Sequence, residues 1–298
     1  MGHAHPPEGD TGCTVVLGPF RAAALVAGMA TGSRELNVLE VEHLVPAVDA
    51  LLLTGGSAFG LAAADGVASW LAERELGYDT GTARVPIVPA AVIFDLREGR
   101  PRPGPATGRA ACVAASDEPV PVGRVGAGRG ATVGNIAGPA GEMAGGVGSH
   151  ALRLGPWTVG ALAVVNALGD VLDGSGSIVA GARAPDGSFL DTARVLRSGG
   201  GQGAGLAAAR NTTLAVVATD APLSRVELKR LSRMAWTALP RRISPVGTPF
   251  DGDVVFTAST GPLAVDVSPG ELLALGTVAR DALEEAITGA VGDQPSRA

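Results

Sequence analysis

Apolar residues fall into runs separated by glycine- and proline-rich breaks along the whole chain. Residues 13 to 17 (CTVVL) and the run that ends in LLLTGG at 51 to 56 read as buried strands. Short β-branched or continuous apolar runs bounded by turn residues fit a sheet covered on both faces. From Ala58 to Arg74 the residues Leu61, Ala64, Val67, Trp70 and Leu71 recur at helical spacing, with Asp65 and Glu73 off that stripe. This predicts an amphipathic or largely buried helix, with Ser57 as its cap. RVPIVPAAVIF at 84 to 94 is apolar too, but Pro86 and Pro89 place it at a sheet edge or as an extended lead-in. Residues 97 to 124, rich in Pro, Arg and small polar residues, read as a surface loop.

The second half alternates in the same irregular way. WTVGALAVVNALGDVLDG at 157 to 174 predicts a strand, a turn and the start of its partner, and TTLAVVATDA (212 to 221) and VVFTAST (254 to 260) predict two more strands. Ser224 and Glu227 form an S-x-x-E capping box for a helix reaching about Leu239. Ser268, Pro269 and Glu271 open a last helix with Leu272, Leu275, Val278, Ala279 and Leu283 toward the core. The tail 289–298 is expected to fray. Few complete βαβ units occur, so the pattern predicts an α/β (α+β) chain in which a mixed sheet carries helices outside. No domain boundary is visible, and 1–298 is expected to form a single domain.

Composition narrows the chemistry. The 298 residues are 46% hydrophobic and include 44 glycines but only three Trp, one Tyr and six Phe. The core must therefore be built from closely packed Ala, Val and Leu. The net charge of −6, with no continuous basic face, gives phosphate backbones nothing to bind, so nucleic acid is excluded as a partner. Cys13 and Cys112 imply neither a disulfide framework nor a thiolate metal site, which fits a reducing cytoplasm. The start MGHAHPPEGD has no cationic, apolar leader, and no window of eighteen apolar residues occurs, so neither export nor a membrane partner is expected. His3, His5, His43 and His150 never fall at metal-ligand spacing; no metal or cofactor is expected.

Four segments could carry chemistry. VGAGRGATVG at 125 to 134 and SGGGQGAG at 198 to 205 lack the flanking strand, helix and acidic residue of a nucleotide fingerprint. GGSAFG at 55 to 60 approaches an esterase elbow, but Phe59 stands where the second glycine belongs. Asn211-Thr212-Thr213 directly follows a glycine-rich, Arg-containing segment and directly precedes an apolar strand, which is where a self-cleaving chain would break. A threonine freed at its amino end has a general base within reach in its own α-amine. The same residues also fit an ordinary strand start.

TGCTVVL (11 to 17), LLTGGSAFGLAAADGV (52 to 67), VPIVPAAVIFDL (85 to 96), VGAGRGATVG (125 to 134), VVNALGDV (164 to 171), NTTLAVVATDA (211 to 221) and FDGDVVF (250 to 256) occur in one order. Together they resemble the DmpA-like aminopeptidases, which include the nylon-oligomer (6-aminohexanoate oligomer) endo-hydrolases; FDGD and NTT are most similar to the latter branch. The resemblance implies an N-terminal-nucleophile hydrolase on an αββα sandwich, cut between Asn211 and Thr212 into an α chain (1–211) and a β chain (212–298) and assembled as a homo-oligomer, a tetramer of αβ units. It implies Thr212 as nucleophile, Asn166 as an amide donor to the oxyanion, and Asp251 and Asp253 as the pair orienting the threonine. Two crowded carboxylates would also push one pKa upward. Small peptides, β- or ω-amino amides and nylon-type oligomers are the implied substrates.

The departures from that pattern fall close to the implied site. Asn135 stands where relatives carry lysine, Arg129 replaces a frequent threonine, and Phe94 stands where some relatives place tyrosine. Either Arg129 supplies the missing positive charge, or Asn135 donates a hydrogen bond while the threonine amine moves the proton alone. Gly2-His3-Ala4 resembles the end of an opening strand and turn, which implies a start later than in the relatives. Two alternatives stay open: an acyltransferase resembling ornithine acetyltransferase, and an uncleaved, catalytically silent relative.

Overall fold

The structure, a computed structural model, describes residues 1–200, 211–263 and 267–292. Its opening elements are β1 (Gly2–Ala4), β2 (Cys13–Val26), β3 (Gly32–Arg34), β4 (Val48–Thr54), α1 (Ser57–Gly60), α2 (Ala63–Ala72), β5 (Tyr78–Asp79), β6 (Arg84–Val85), β7 (Ala90–Val92) and α3 (Pro105–Val113). There follow β8 (Thr132–Val133), β9 (Met143–Ala144), β10 (Gly146–Leu154), β11 (Trp157–Asn166), β12 (Asp170–Leu172), β13 (Ile178–Ala180) and α4 (Thr192–Arg197). Beyond residue 210 come β14 (Thr212–Thr219), α5 (Arg225–Trp236), α6 (Leu239–Arg242), β15 (Ile243–Ser244), β16 (Val254–Ser259) and α7 (Pro269–Gly289).

The long strand β2 belongs to two half-sheets at once. Its first half pairs with β4, from Cys13 opposite Thr54 to Leu17 opposite Ala50, and its second half pairs with β16, from Arg21 opposite Ser259 to Val26 opposite Val254. Between them, at Leu17 to Phe20, the register with β4 shifts, and an irregularity of this kind bends a strand. The resulting order is β10-β11-β14-β16-β2-β4-β7-β3, with β1 on the side of β2.

Alternating side chains then sort into three cores. Leu162, Val164, Leu214, Val216 and Phe256 from one half-sheet meet Leu51, Leu53, Ala91 and Ile93 from the other. The neighbouring positions Ala161, Ala163, Val165, Ala215 and Val217 turn the opposite way, toward Leu228 and Leu231 of α5 and Leu275, Ala279 and Leu283 of α7. Cys13, Val15, Ala50 and Leu52 face Ala64 and Val67 of α2 and Ala111 and Cys112 of α3. Since strand residues alternate sides with a period of two, each half-sheet is covered on both faces, and the layers run helix, sheet, sheet, helix. This is the sandwich that the sequence resemblance implies.

Several local readings change. The helix expected from Ala58 is two pieces, and Ser57 does not cap it: Gly56 is the N-cap, and Ser57 itself sits at φ 51 without a capping hydrogen bond. The 97 to 124 "loop" contains α3, which Pro105 opens at its first turn. Small residues hid it, because α2 and α3 approach so closely that a Cβ on Gly108 would come within 1.9 Å of the Ala63 carbonyl. Pro89 does precede a strand, but β7 is interior, between β4 and β3. The segment after the NALGD turn joins β13 and β15 in a small separate sheet instead of pairing with β11. At the carboxyl end α7 persists to Gly289, and Ala290 and Val291 are buried; 293–298 lie outside the described residues.

Polar anchors tie irregular segments to this frame. Arg225, at the start of α5, donates to the carbonyls of Val38, Glu40, His43 and Val45 and so pins the 36–47 connection. At the amino end His3 Nδ1 meets Thr14 Oγ1 at 2.9 Å, and His5 Nε2 accepts from the Gly126 amide. Burial is the main cause that lowers the His3 pKa, to about 4.

Replacing Arg225 with Met should cost about 2 kcal/mol, the scale of hydrogen bonds to a charged group, read as a lower urea midpoint. His3 takes up its proton in the unfolded chain first, so its contribution to stability is lost as pH falls from about 6.5 toward 4. His3→Gln should therefore flatten the acid side of a melting-temperature profile over that window.

Candidate active site

β14 and β16 run parallel, with Leu214 opposite Val254. Their amino ends therefore lie at the same end of the sandwich, and the Asp251-Gly252-Asp253 turn that leads into β16 sits beside the residues that open β14. On the other flank β11 is antiparallel to β14 and places its last residue, Asn166, opposite Thr212. Thr212, Asn166, Asp251, Asp253 and Asn211 are all buried. The fold thus brings together residues 166, 211, 212, 251 and 253, as the motifs imply.

The Asn211–Thr212 peptide is held at both ends. The Asn211 carbonyl accepts from the Gly252 amide at 2.9 Å, and the Thr212 hydroxyl donates to the same oxygen at 2.5 Å. One residue on, the Thr213 amide donates to Asp253 Oδ1 at 2.7 Å. Gly252 is required by close approach, since a Cβ there would lie 2.7 Å from Thr212 Oγ1 and 3.0 Å from the Ala30 carbonyl. The turn is itself anchored: Gly28 and Ala27 donate to the Asp253 carbonyl, and Ala30 donates to that of Asp251.

The two aspartates differ. Asp251 Oδ2 accepts from the Thr248 amide at 2.7 Å, and hydrogen bonds of this kind partly offset the rise that burial causes in its pKa. Asp253 is pushed up to about 7, first by burial and second by the charge of Asp251, against the pull of the Thr213 and Gly247 amides. Crowding therefore contributes, as expected, but desolvation leads. Asp253 Oδ2 has no hydrogen-bond partner among the described residues, so a neutral carboxyl there keeps a proton to give.

Beside Asn211 opens a cavity of about 400 Å³ whose lining includes Phe94, Asp95, Thr132, Asn135 and Glu142. Asn135 stands in the site but serves the peptide rather than the nucleophile: its Nδ2 donates to Asn211 Oδ1 at 3.0 Å, while its own Oδ1 accepts from the Thr132 hydroxyl at 2.8 Å. The Thr132 amide donates to Asn166 Oδ1 at 3.0 Å, which directs the Asn166 amide nitrogen toward the Phe94 carbonyl, 3.4 Å away. Arg129 goes elsewhere. Its Nε donates to the Gly9 carbonyl and its charge acts on His5, away from the hydrogen bonds that join residues 135, 166, 211, 212 and 253. Lys229, the one lysine of the sequence, pairs with Glu40 on the surface.

The motif reading passed over Thr132, Gly252, Asp95 and Glu142. Thr132 and Gly252 stand inside ATVG and FDGD, but what they contribute is a shared backbone amide or hydroxyl, which residue type alone does not advertise. Burial raises the Asp95 pKa while its Oδ1 holds the Gly56 amide at 2.6 Å. Among the described residues, no three His, Cys, Asp or Glu side chains are grouped to hold a metal. No described helix is long and apolar enough to cross a membrane.

Known proteins share the sequence family and the fold. The sequence matches peptidase family S58 over residues 1–294, and the chain belongs to that family. It is 39% identical to an uncharacterised aminopeptidase of Mycobacterium leprae, over 98% of this chain and 87% of that protein. It is 31% identical to the 6-aminohexanoate-oligomer endohydrolase of Kocuria sp., over 96% and 82%. The fold is shared with a Burkholderia β-aminopeptidase (TM-score 0.70, 23% identity, 97% of this chain and 82% of that one). It is shared too with the L-aminopeptidase D-Ala-esterase/amidase of Ochrobactrum anthropi, described as a variant of the Ntn-hydrolase fold (TM-score 0.69, 21% identity, 98% and 83%). The chain is a hydrolase.

The raised pKa of Asp253 has a thermodynamic sign. The unfolded chain releases this proton near pH 4 and the folded chain near 7, so folding loses stability as pH rises through that interval. Asp253→Asn should therefore be more stable than the parent above pH 7, by on the order of a few kcal/mol, with the advantage shrinking toward pH 4 in parallel denaturant titrations.

Proposed function

We propose that this member of peptidase family S58 cuts its own Asn211–Thr212 bond and then hydrolyses amides with the freed Thr212 as nucleophile. The grip on the Asn211 carbonyl carries the reading: the Gly252 amide points at the oxygen that would become negative, beside the hydroxyl that would attack.

In the uncut chain the Thr212 hydroxyl oxygen attacks the Asn211 carbonyl carbon, and the Gly252 amide bears the oxyanion. Asp253, neutral up to about pH 7, gives its proton to the departing Thr212 nitrogen and recovers one from the hydroxyl. The C–N bond breaks and an ester joins Asn211 to Thr212 Oγ. Water hydrolyses that ester, leaving an Asn211 carboxylate, a restored hydroxyl and a free α-amine.

The amine then acts as the general base. Its reference pKa of about 7.7 to 8.0 leaves a useful neutral fraction at physiological pH. It accepts the hydroxyl proton as Thr212 attacks a substrate amide, and returns it to the amine that leaves. The Asn166 side chain joins the Gly252 amide as donor to the substrate oxyanion. Water resolves the acyl-threonine to a carboxylic acid. Small peptides and β- or ω-amino amides are the proposed substrates, with nylon-type oligomers supported by the named relatives. The working form is a homo-oligomer of αβ units, taken to be a tetramer, in the cytoplasm.

Intact mass and amino-terminal sequencing of the purified protein test the first step. Fragments of residues 1–211 and 212–298, the second beginning Thr-Thr-Leu-Ala, are expected, with none from Thr212→Ala. A single uncut chain from the parent would overturn the proposal. Self-cleavage should also slow as pH rises past about 7, where Asp253 loses its proton, measured as the rate of conversion of freshly purified precursor.

A further inference from the structure

Self-cleavage and turnover, as proposed above, pass through esters that share one alcohol half, Thr212 Oγ. Only the acyl half differs: Asn211 in the first ester, the substrate's acyl residue in every later one. An acyl group in the working enzyme must therefore occupy the place that Asn211 occupies in the uncut chain.

That place is built for a particular chemistry. The Asn211 side chain lines the cavity of about 400 Å³. Its Oδ1 receives the Asn135 amide at 3.0 Å, and the Thr132 hydroxyl fixes the orientation of Asn135 from behind at 2.8 Å. With its oxygen already engaged by a donor, Asn135 presents NH2 to the cavity. An acyl group without an acceptor would leave that half-buried donor to water, and only a group with an acceptor gains its hydrogen bond. Charge narrows the choice further. Asp95 and Glu142 line the same cavity, against Arg97 at 3.9 Å from Glu142, and this balance disfavours a carboxylate beside Asn135.

We propose that Asn135 determines specificity, and that the cut enzyme selects acyl residues carrying a neutral carbonyl acceptor at the γ position, of which asparaginyl is the simplest. The chain's own Asn211 fills this subsite until the bond is cut, and hydrolysis of the ester releases it. This inference rests on the hydrolase reading above and narrows its substrates, favouring small peptides over simple β- or ω-amino amides.

The test uses cut wild-type enzyme and the p-nitroanilides of L-Asn, L-Asp, L-Leu and L-Ala. Leucine has nearly the shape of asparagine without its acceptor. We expect kcat/KM for Asn to exceed that for Leu and for Asp by about tenfold or more, as for a site that hydrogen-bonds its substrate. The Asn-to-Leu ratio should fall to about one in Asn135→Ala. Thr132→Val, which removes the support and leaves Asn135, should narrow the ratio, and it serves where Asn135→Ala does not cut itself. Leu turned over as well as Asn by the wild type overturns this inference alone, as does a ratio unchanged in both variants. Turnover of no anilide by cut protein overturns this inference, and the nucleophile reading falls with it only if β- and ω-amino amides are also left intact.

Discussion

The parallel pairing of β14 with β16 is the constraint from which the site follows. Parallel neighbours cannot be joined by a tight turn and need a crossover, here supplied by α5 and α6 on the outer face. Because the two strands start at the same end, the carboxylates leading into one are delivered to the threonine that opens the other. Had the pair been antiparallel, Asp251 and Asp253 would lie a strand length away from Thr212. Antiparallel β11 on the other side does the complementary job by ending, at Asn166, where β14 begins. The mixed sheet is thus a device for gathering strand ends of different polarity at one edge.

What that edge holds is in tension with stability. A buried carboxylate with one oxygen unpartnered, a glycine pressed against a hydroxyl, and a carbonyl receiving two donors are arrangements that folding alone would not choose. They persist because the surrounding frame is over-determined. The cores on both sides of each half-sheet, and the Ala27, Gly28 and Ala30 amides that donate to the Asp253 and Asp251 carbonyls, leave the turn at 251–253 little room to relax. The energetic load falls on Asp253, whose proton is retained because the charged form is so poorly solvated.

Much of this was legible in the chain. The apolar, β-branched runs in LLLTGG, TTLAVVATDA and VVFTAST gave the central strands, and both capping boxes gave their helices, because those signals are local. The motifs located Thr212, Asn166, Asp251 and Asp253. What escaped depended on contacts between distant segments. α3 was hidden because its packing face is made of the small residues Thr107, Gly108, Ala111 and Cys112, which show little contrast in hydrophobicity. The continuation of β2 past Pro19 depends on β16 offering it a second partner. Arg129 and Asn135 looked interchangeable on paper as donors near the nucleophile, and only tertiary geometry sends one to Gly9 and the other to Asn211.

Strand order carries one more consequence. β14 lies between β11 and β16, and β16 lies between β14 and β2, so a cut ahead of Thr212 would leave the smaller piece threaded through the middle of the larger piece's sheet. The two pieces would stay together without any covalent link, through the ladders on either side. Yet the molecularity of folding would have changed. The uncut chain reaches this sheet in a unimolecular process, whereas the separated pieces could regain it only by finding each other, at a rate set by their concentration. The connecting bond would act as an intramolecular template, spent once, and the cut protein would owe its persistence to the height of its unfolding barrier.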